Sequence, residues 1–299
     1  MFLALFVGYL AIVWSNAHVA YRHIYGADLT RQAYVASNIA FSVPVLLPWL
    51  LLSGIADLIL ALPFDLPREV LRSPEGETVY FLFFLFAVAV IGPLIIQKFW
   101  RCRPLEAGYH RQRIEALCRR ADLKYADIMY WPIFGGRMIT AGVMGLVSRF
   151  RYILVTDALL RILSPEEVDA VIAHEVGHVK KHHLLFYLFF FIGYMVIAYA
   201  TFDLIVYLII FSEPIYRFVF ITGISRTTVT TGLLSLAIIF NFLVYFRFIF
   251  GYFMRNFERQ ADASVYGLFA SAAPLISTFE KIVAVSGHSP DKPNWHHFS

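Results

Sequence analysis

Long runs of apolar residues alternate with short polar connections through most of the chain. A helix that crosses a bilayer core needs about 20 mostly apolar residues. Five stretches meet this requirement, and each is predicted to be a membrane-spanning helix: residues 2–20, 35–62, 79–96, 184–211 and 232–253. A further apolar run at 218–225 is short and is predicted to lie at the membrane surface. A more polar segment separates the third stretch from the fourth.

The composition agrees with an integral membrane protein. The 299 residues are 59% hydrophobic and only 15% charged, and the mean hydropathy is +0.66, whereas soluble domains are about 25% charged. Much of the positive charge lies just after the third stretch, from Lys98 to Lys124. Because Lys and Arg favour the cytoplasmic side, this cluster predicts a cytoplasmic middle segment. The net charge of +4 is therefore read as a topology signal, and no nucleic-acid partner is expected.

These patterns predict a mainly α fold, a polytopic transmembrane helix bundle of about five spans with a cytoplasmic α+β domain. Four parts follow along the chain: N-terminal transmembrane helices at 1–97, a cytoplasmic segment at 98–183, a transmembrane hairpin at 184–253 and a polar segment at 254–299. The two cysteines, Cys102 and Cys118, show no paired C-x-x-C spacing. Neither a disulfide framework nor a thiolate metal site is therefore indicated.

The cytoplasmic segment contains an H-E-x-x-H motif, formed by His174, Glu175 and His178. On a helix, positions i and i+4 are neighbours one turn apart, so both imidazoles can bind one metal ion. Glu175 then lies beside the metal, where its carboxylate can take a proton from the attacking water. This pattern is typical of a catalytic zinc site. The alternative is a pair of ordinary surface histidines next to a chance glutamate.

The residues upstream of the motif predict the start of its helix. Ser164 is a capping residue, Pro165 suits the first helical position, and Glu167 follows the cap by three residues. Apolar residues then recur at helical spacing, so the opposite face is expected to pack inward and hold the helix rigid. His182 and His183 follow two lysines and are predicted to lie at the helix end, on the membrane surface, without binding the metal.

A third metal ligand is predicted after the fifth apolar stretch. Glu258 and Asp262 are again four residues apart in a polar helical continuation. Glu258 can bind the metal, while Asp262 can accept a hydrogen bond from the non-ligating nitrogen of a histidine. The alternative is a solvated charged face, which such patches usually are.

These motifs, taken in this order, resemble the integral-membrane zinc metallopeptidases that include the type I CAAX prenyl endopeptidase and the heat-shock protease HtpX. The resemblance implies a zincin-type catalytic domain that binds one Zn²⁺ per chain through His174, His178 and Glu258. It also implies that Glu175 is the general base. Asp262 matches the acidic residue that follows the third ligand by one turn.

The same resemblance assigns two further regions. Residues 137–147 and 150–156 read as a β-hairpin, and Thr140 and Ala141 stand where the family carries an Asn-Ala pair on its substrate-binding strand. Near the end of the sequence, His297 matches a family histidine that stabilises the oxyanion during catalysis. The alternative is a surface pair formed by His296 and His297. The family's sequences normally continue past this point, which is consistent with a chain truncated after Ser299.

The sequence therefore predicts a zinc metalloendopeptidase in the membrane, with its catalytic domain on the cytoplasmic side. Because the motifs adjoin apolar stretches, the expected substrates are membrane-associated or lipid-modified proteins. Processing of CAAX prenyl proteins is an alternative within the enzyme class. A catalytically silent, zinc-binding scaffold or chaperone is the alternative outside it.

Overall fold

The fold is described from a computed structural model, which covers residues 2–25, 29–133 and 138–286. The chain divides into two compact units. The first comprises the described parts of 1–176 and 265–287, and the described part of the second is 177–264. The division falls inside two continuous helices, α7 (Pro165–Lys180) and α11 (Gly251–Phe269).

The first unit begins with four helices in a mostly apolar sequence: α1 (Phe2–Tyr25), α2 (Arg31–Ala61), α3 (Asp65–Arg72) and α4 (Pro74–Phe99). Helix α2 bends by 52° between its parts Arg31–Ser42 and Leu46–Ala61. Pro44 lies at this bend. It explains the bend, because proline removes one main-chain hydrogen bond and its ring clashes with the preceding turn. Ser73 caps α4 by accepting a hydrogen bond from the main-chain nitrogen of Gly76 at 3.0 Å.

A small mixed sheet follows, with the strands β1 (Arg103–Pro104), β2 (Asp127–Tyr130), β3 (Ala141–Met144) and β4 (Tyr152–Val155). Their spatial order is β1-β2-β4-β3. Strands β2 and β4 run parallel, and β3 pairs antiparallel with β4. The predicted hairpin is therefore confirmed over its described residues, and β3 forms one edge of the sheet. A 3₁₀ turn at Ser148–Phe150 lies between its strands.

Helices α5 (Tyr109–Arg120), α6 (Asp157–Ile162) and α12 (Ala273–Ser286) complete the first unit, together with the first three turns of α7. The core of this unit consists of apolar side chains at most 2% exposed, among them Ile114, Cys118, Ile128, Ile153, Val155, Leu159 and Ile172. Strand β4 is buried along its whole length, because it is an inner strand of the sheet. This core supports the N-terminal part of α7.

The second unit is a long helical hairpin of α8 (His183–Ile210) and α10 (Arg226–Val244), joined through the short helix α9 (Glu213–Thr222). Helix α10 continues through a π-helical segment, Tyr245–Phe250, directly into α11. Two polar contacts tie the long helices together. The Tyr245 hydroxyl donates to the carbonyl of Phe190 at 2.6 Å, and the Asn241 amide donates to the Thr201 hydroxyl at 3.1 Å.

Three helices within the described residues are long and apolar enough to cross a membrane: Glu75–Phe99, His183–Ile210 and Arg226–Phe269. The bent pair in α2 makes a fourth if it is one span. These helices correspond to the second to fifth predicted stretches. The first stretch lies within α1, which is not among them, so the count of about five spans stays a prediction. Residues 218–222 of the short run lie in the ten-residue α9.

Candidate metal centre

The helix that carries the H-E-x-x-H motif begins where the sequence predicts. Ser164 and Glu167 bond each other reciprocally: the main-chain nitrogen of Ser164 donates to Glu167 Oε2 at 2.7 Å, and that of Glu167 donates to Ser164 Oγ at 3.3 Å. Pro165 is the first helical residue. This capping box satisfies main-chain groups that the first helical turn leaves unpaired. The start of α7 is thereby fixed.

A buried ion pair anchors the first turn of α7 to α12 within the first unit. Glu167 is 4% exposed and accepts hydrogen bonds from Lys281 Nζ at 2.7 Å and from the Ser277 hydroxyl at 2.6 Å. Burial alone would raise the pKa of Glu167, but these bonds and that from Ser164 outweigh it and lower the pKa to about 2. Glu167 therefore stays ionised and holds α7 in place.

An arginine on α5 holds the solvent side of the same helix. Arg113 donates to Asp169 Oδ2 at 2.9 Å and to Glu166 Oε1 at 3.1 Å. Burial raises the pKa of Asp169, and the neighbouring guanidinium of Arg113 opposes that shift. The N-terminal half of α7 is thus tied to both α5 and α12, which gives the motif a rigid support.

Within the second unit, the last turn of α7 lies unusually close to α11. A Cβ added to Gly177 would lie 3.0 Å from Cβ and Oγ of Ser264 and 3.1 Å from Cα of Ala261. Ala261 is fully buried at this crossing. Only a residue without a side chain allows the two backbones to approach so closely. Gly177 stands between the two histidines of the motif, so this crossing brings α11 close to the candidate metal ligand His178.

The three predicted ligands form one group. One ligand atom from each of His174, His178 and Glu258 lies within 4.8 Å of the others. Nε2 of His178 is 3.8 Å from Oε1 of Glu258. Ligand atoms that share a zinc ion at bonds of about 2 Å lie up to about 4 Å apart. Small side-chain rotations therefore suffice to close the group around an ion.

The donor set fits zinc. Two imidazole nitrogens and one carboxylate oxygen are the protein ligands of one common kind of catalytic zinc site, in which the fourth position stays open for water or substrate. All three side chains are half-buried, and Glu175, which follows the first ligand directly, is half-buried as well. The group therefore remains accessible to water and to a substrate.

The structure corrects the interpretation of His183. The sequence predicts this residue on the membrane surface at the end of the motif helix, but α7 ends at Lys180 and His183 is the first residue of α8. Its side chain is 0% exposed, and its ring stacks on Phe257 with centroids 4.2 Å apart. The cause is a chain reversal at His182, whose φ of 57° and ψ of 28° are left-handed. His182 itself is exposed, as expected.

The other predicted site residues lie in three places. Asp262 is exposed on α11, one turn after Glu258. Thr140 directly precedes the edge strand β3, and Ala141 is its first residue. His297 lies outside the described residues. The roles given to these residues stay predictions.

Buried Thr156, which no sequence motif marks as part of the site, holds Thr140 in place. Its hydroxyl donates to the carbonyl of Thr140 at 3.0 Å and accepts from the main-chain nitrogen of Thr140 at 3.2 Å. The main-chain nitrogen of Thr156 also donates to the same carbonyl. A threonine that ends a predicted strand and precedes a helix is the only signal the sequence offers, and it marks a helix cap more readily than a site.

Together, these features define a class: a mainly helical protein with candidate membrane spans and a His–His–Glu group on two helices that could hold a metal ion. The chain belongs to peptidase family M48, whose family model matches residues 104–297. The predicted resemblance is confirmed. The family is one of metallopeptidases and implies zinc as the metal.

Several proteases are similar to part of the chain. The protease HtpX homolog of Aeropyrum pernix is 34% identical over 114 residues, which cover 36% of this chain and 35% of that protein. CAAX prenyl protease 1 of Saccharomyces cerevisiae is 30% identical over 122 residues, which cover 38% of this chain and 26% of that protein. The chain thus aligns with only about a quarter to a third of these relatives' lengths.

A solved structure shares the fold over most of the chain. The crystal structure of S. mikatae Ste24p superposes with a TM-score of 0.54 and covers 94% of this chain and 74% of that one. The sequence identity is 19%, so this similarity concerns the fold alone.

Proposed function

We propose that the chain is a membrane-integrated, zinc-dependent endopeptidase that hydrolyses peptide bonds of membrane-associated proteins. The observation that carries this proposal is the grouping of His174, His178 and Glu258 in a member of peptidase family M48. Two ligands come from one helix and the third comes from a helix 80 residues further along the chain, so chance spacing in the sequence does not account for the group.

In this proposal Glu175 is the general base. Zinc held by the three ligands would supply Lewis-acid chemistry, activating a water molecule and polarising the scissile carbonyl. Glu175 takes the proton of the attacking water and delivers it to the leaving amine. A glutamate next to the first ligand serves this chemistry, whereas a purely structural zinc site has no use for it.

The edge strand β3 is proposed to hold the substrate. The main-chain N–H and carbonyl of Thr140 both point toward Thr156. Because hydrogen-bonding direction alternates along an antiparallel strand, Gly142 also faces β4, whereas Ala141 and Val143 face outward. An extended peptide can pair with these outward groups as an added strand. This register supports hydrogen bonds between the substrate backbone and the main-chain groups of Ala141 and Val143. Thr140 does not bond the substrate in this arrangement but positions the start of β3.

Two features support substrates that are themselves attached to a membrane. Helix α8, a candidate span, begins five residues after His178. The 44-residue helix Arg226–Phe269 is about 66 Å long at 1.5 Å per residue, roughly twice the thickness of a bilayer core. Its polar C-terminal part, which carries Glu258, therefore extends beyond the apolar region. We place the catalytic centre on the cytoplasmic side because of the Lys and Arg cluster after α4.

Two further roles complete the proposal. Asp262 is proposed to support a histidine ligand from the next turn of α11, and His297 is proposed to stabilise the oxyanion. The division of the chain at residues 97, 183 and 253 into membrane and catalytic parts also belongs to this proposal.

The proposal is tested with purified protein and its Glu175→Gln variant. Both should bind one zinc ion per chain, because Glu175 is not a ligand, and the variant should cleave peptides at least 100-fold more slowly. Glu166→Gln is the matched control, since it makes the same change on an exposed position of α7. Cleavage by Glu175→Gln at the rate of the unaltered protein would contradict the assignment.

Incubation with a membrane proteome, followed by mass spectrometry of new peptide termini, identifies the substrate class. Termini that depend on Glu175 and fall in membrane proteins support the proposal. Cleavage restricted to prenylated peptides, tested beside the same peptides without the lipid, would instead assign the chain to prenyl-protein processing. Zinc binding without any new termini would favour the silent scaffold.

A further inference from the structure

His183 is a buried imidazole with partners on both ring nitrogens. Its Nδ1 lies 2.9 Å from Nδ1 of His178, and its Nε2 lies 3.2 Å from Oε1 of Gln260. The ring is fully buried and stacks on Phe257 at an interplanar angle of 15°. Stacking and two hydrogen bonds together hold the ring in one orientation.

The chain reversal at His182 makes this arrangement possible. On a continuous helix, residues five apart advance by about 500°, so His178 and His183 would point about 140° away from each other. The left-handed residue His182 ends that helix and starts α8 beside it. A non-glycine residue in this conformation is uncommon, so the surrounding contacts must compensate for its strain.

The chemistry of the partners fixes the direction of these hydrogen bonds. The amide oxygen of Gln260 can only accept, so Nε2 of His183 carries the proton and donates. Nδ1 of the neutral His183 ring then accepts from Nδ1–H of His178. This leaves the lone pair of His178 on Nε2, the nitrogen 3.8 Å from Oε1 of Glu258. The opposite direction would protonate Nε2 of His178 and block metal binding.

We infer that His183 is a positioning residue, which with Gln260 fixes the tautomer and ring orientation of the metal ligand His178. The inference rests on the metal-binding part of the proposed function. Ligating histidines usually donate their second N–H to a carboxylate, a main-chain carbonyl or water. In this chain a second imidazole from the start of a candidate membrane span takes that place. The geometry of the metal site therefore depends directly on how α8 begins.

Three variants at two positions test the hydrogen bonds separately from packing. His183→Leu keeps an apolar side chain against Phe257 but removes the acceptor. His183→Asn restores an acceptor, because its Oδ1 lies close to the place of the histidine Nδ1. Gln260→Leu changes only an exposed residue and leaves His183 in place.

The measurements are the zinc dissociation constant, from chelator competition on the metal-free protein, and the visible absorption spectrum of the cobalt-substituted protein. Loss of a histidine's supporting partner typically weakens metal binding 10–100-fold. We expect His183→Leu to show that loss with an altered cobalt spectrum, and His183→Asn to recover most of the affinity. Gln260→Leu should weaken binding several-fold, since it removes the Oε1 acceptor of Nε2–H of His183.

Circular dichroism shows whether each variant is folded, and only a folded variant tests the role of His183 in metal binding. A folded His183→Leu variant with unchanged zinc affinity and cobalt spectrum would overturn the inference. Equal losses in His183→Leu and His183→Asn would overturn it as well, because the effect would then be one of packing. If His183→Leu does not fold, unchanged zinc affinity in Gln260→Leu refutes the hydrogen-bond chain. Failure of the unaltered protein to bind zinc would instead refute the proposed function.

Discussion

Gly177→Ala tests whether the close approach of α7 and α11 sets the geometry of the metal ligands. The added Cβ would meet Cβ of Ser264 at 3.0 Å and Cα of Ala261 at 3.1 Å, which is 0.3–0.4 Å short of ordinary contact at 3.4 Å. The Ser264 hydroxyl can rotate away, but the Cβ of Ser264 and the backbone of Ala261 cannot. The two helices must therefore separate by a few tenths of an ångström.

That displacement is small for the fold but large for a metal site. Alanine gains about 0.5–1 kcal/mol over glycine in a helix, whereas overpacking costs about 1–3 kcal/mol, so a net destabilisation of about 1 kcal/mol is expected. Glu258 lies one turn before Ala261 and moves with it. Metal–ligand distances tolerate about 0.2 Å. We therefore expect zinc affinity to fall about tenfold or more while the fold persists.

Chelator competition on detergent-purified protein measures the zinc dissociation constant, and thermal unfolding measures stability. Gly267→Ala is the matched control, because it makes the same change on α11, the helix that Gly177 meets, and its added Cβ would meet nothing within 4 Å. It should leave zinc affinity unchanged. In the double variant, Ser264→Gly should recover part of the affinity lost by Gly177→Ala. An unchanged dissociation constant in Gly177→Ala would refute the view that this crossing positions Glu258.

Two further predictions concern the support of α7 and the substrate strand. The pKa of Glu167 is lowered from 4.5 to about 2. Its ionised carboxylate, held by Lys281, Ser277 and Ser164 together, therefore contributes roughly 2–3 kcal/mol above pH 4.5, discounted for the exposed lysine, and this contribution is lost as the pH falls toward 2. Thermal unfolding should therefore show that Glu167→Gln is less stable than the unaltered protein at neutral pH, and that this difference in stability shrinks below pH 4.5. A difference that stays constant from pH 7 to pH 3 would contradict this prediction. Val143→Pro removes an outward N–H from the edge strand and should raise KM for peptides more than tenfold at unchanged zinc content. The control is Gly142→Ala, which has open space at its added Cβ and should leave KM unchanged.

The start of the motif helix and the ligand group could be predicted because their signals are local. Ser164, Pro165 and Glu167 specify a helix start by side-chain chemistry alone, and the capping box forms as expected. The i, i+4 spacing of His174 and His178 fixes their relation once the helix exists. Glu258 was predicted from its spacing to Asp262 after the fifth apolar stretch, with a solvated charged face as the alternative, since no local rule relates residues 80 positions apart.

The position of His183 could not be predicted, because it depends on a single left-handed residue. His182 carries no local signal for that conformation, which is usually taken by glycine or asparagine. Helix-compatible residues continue from the motif to the apolar stretch, so the sequence predicts that His183 lies in the last turn of the motif helix. The parallel pairing of β2 with β4 was not predicted either, because it joins strands that are separated along the chain by β3 and the 3₁₀ turn.

The hairpin of α8 and α10 and the helix α11, which carries Glu258, are geometrically coupled within the second unit. Tyr245 contacts α8 at Phe190, and Phe257 contacts α8 at His183. In a regular α-helix, twelve residues advance by about 1200°, which would turn Phe257 about 120° away from Tyr245 around the axis. The π-helical segment between them widens one turn by about one residue, or about 100°, so both side chains face α8.

The register of this hairpin then determines where the third ligand lies. The contacts of Tyr245 with Phe190 and of Asn241 with Thr201 are polar bonds between two apolar helices, where few alternative partners are available. A slip of one helical turn would break both and move α11 by about 5.4 Å along α8. Glu258 would then lie beyond reach of His178. Hydrogen bonds within the apolar hairpin therefore fix the position of the candidate metal ligand Glu258, which lies outside it.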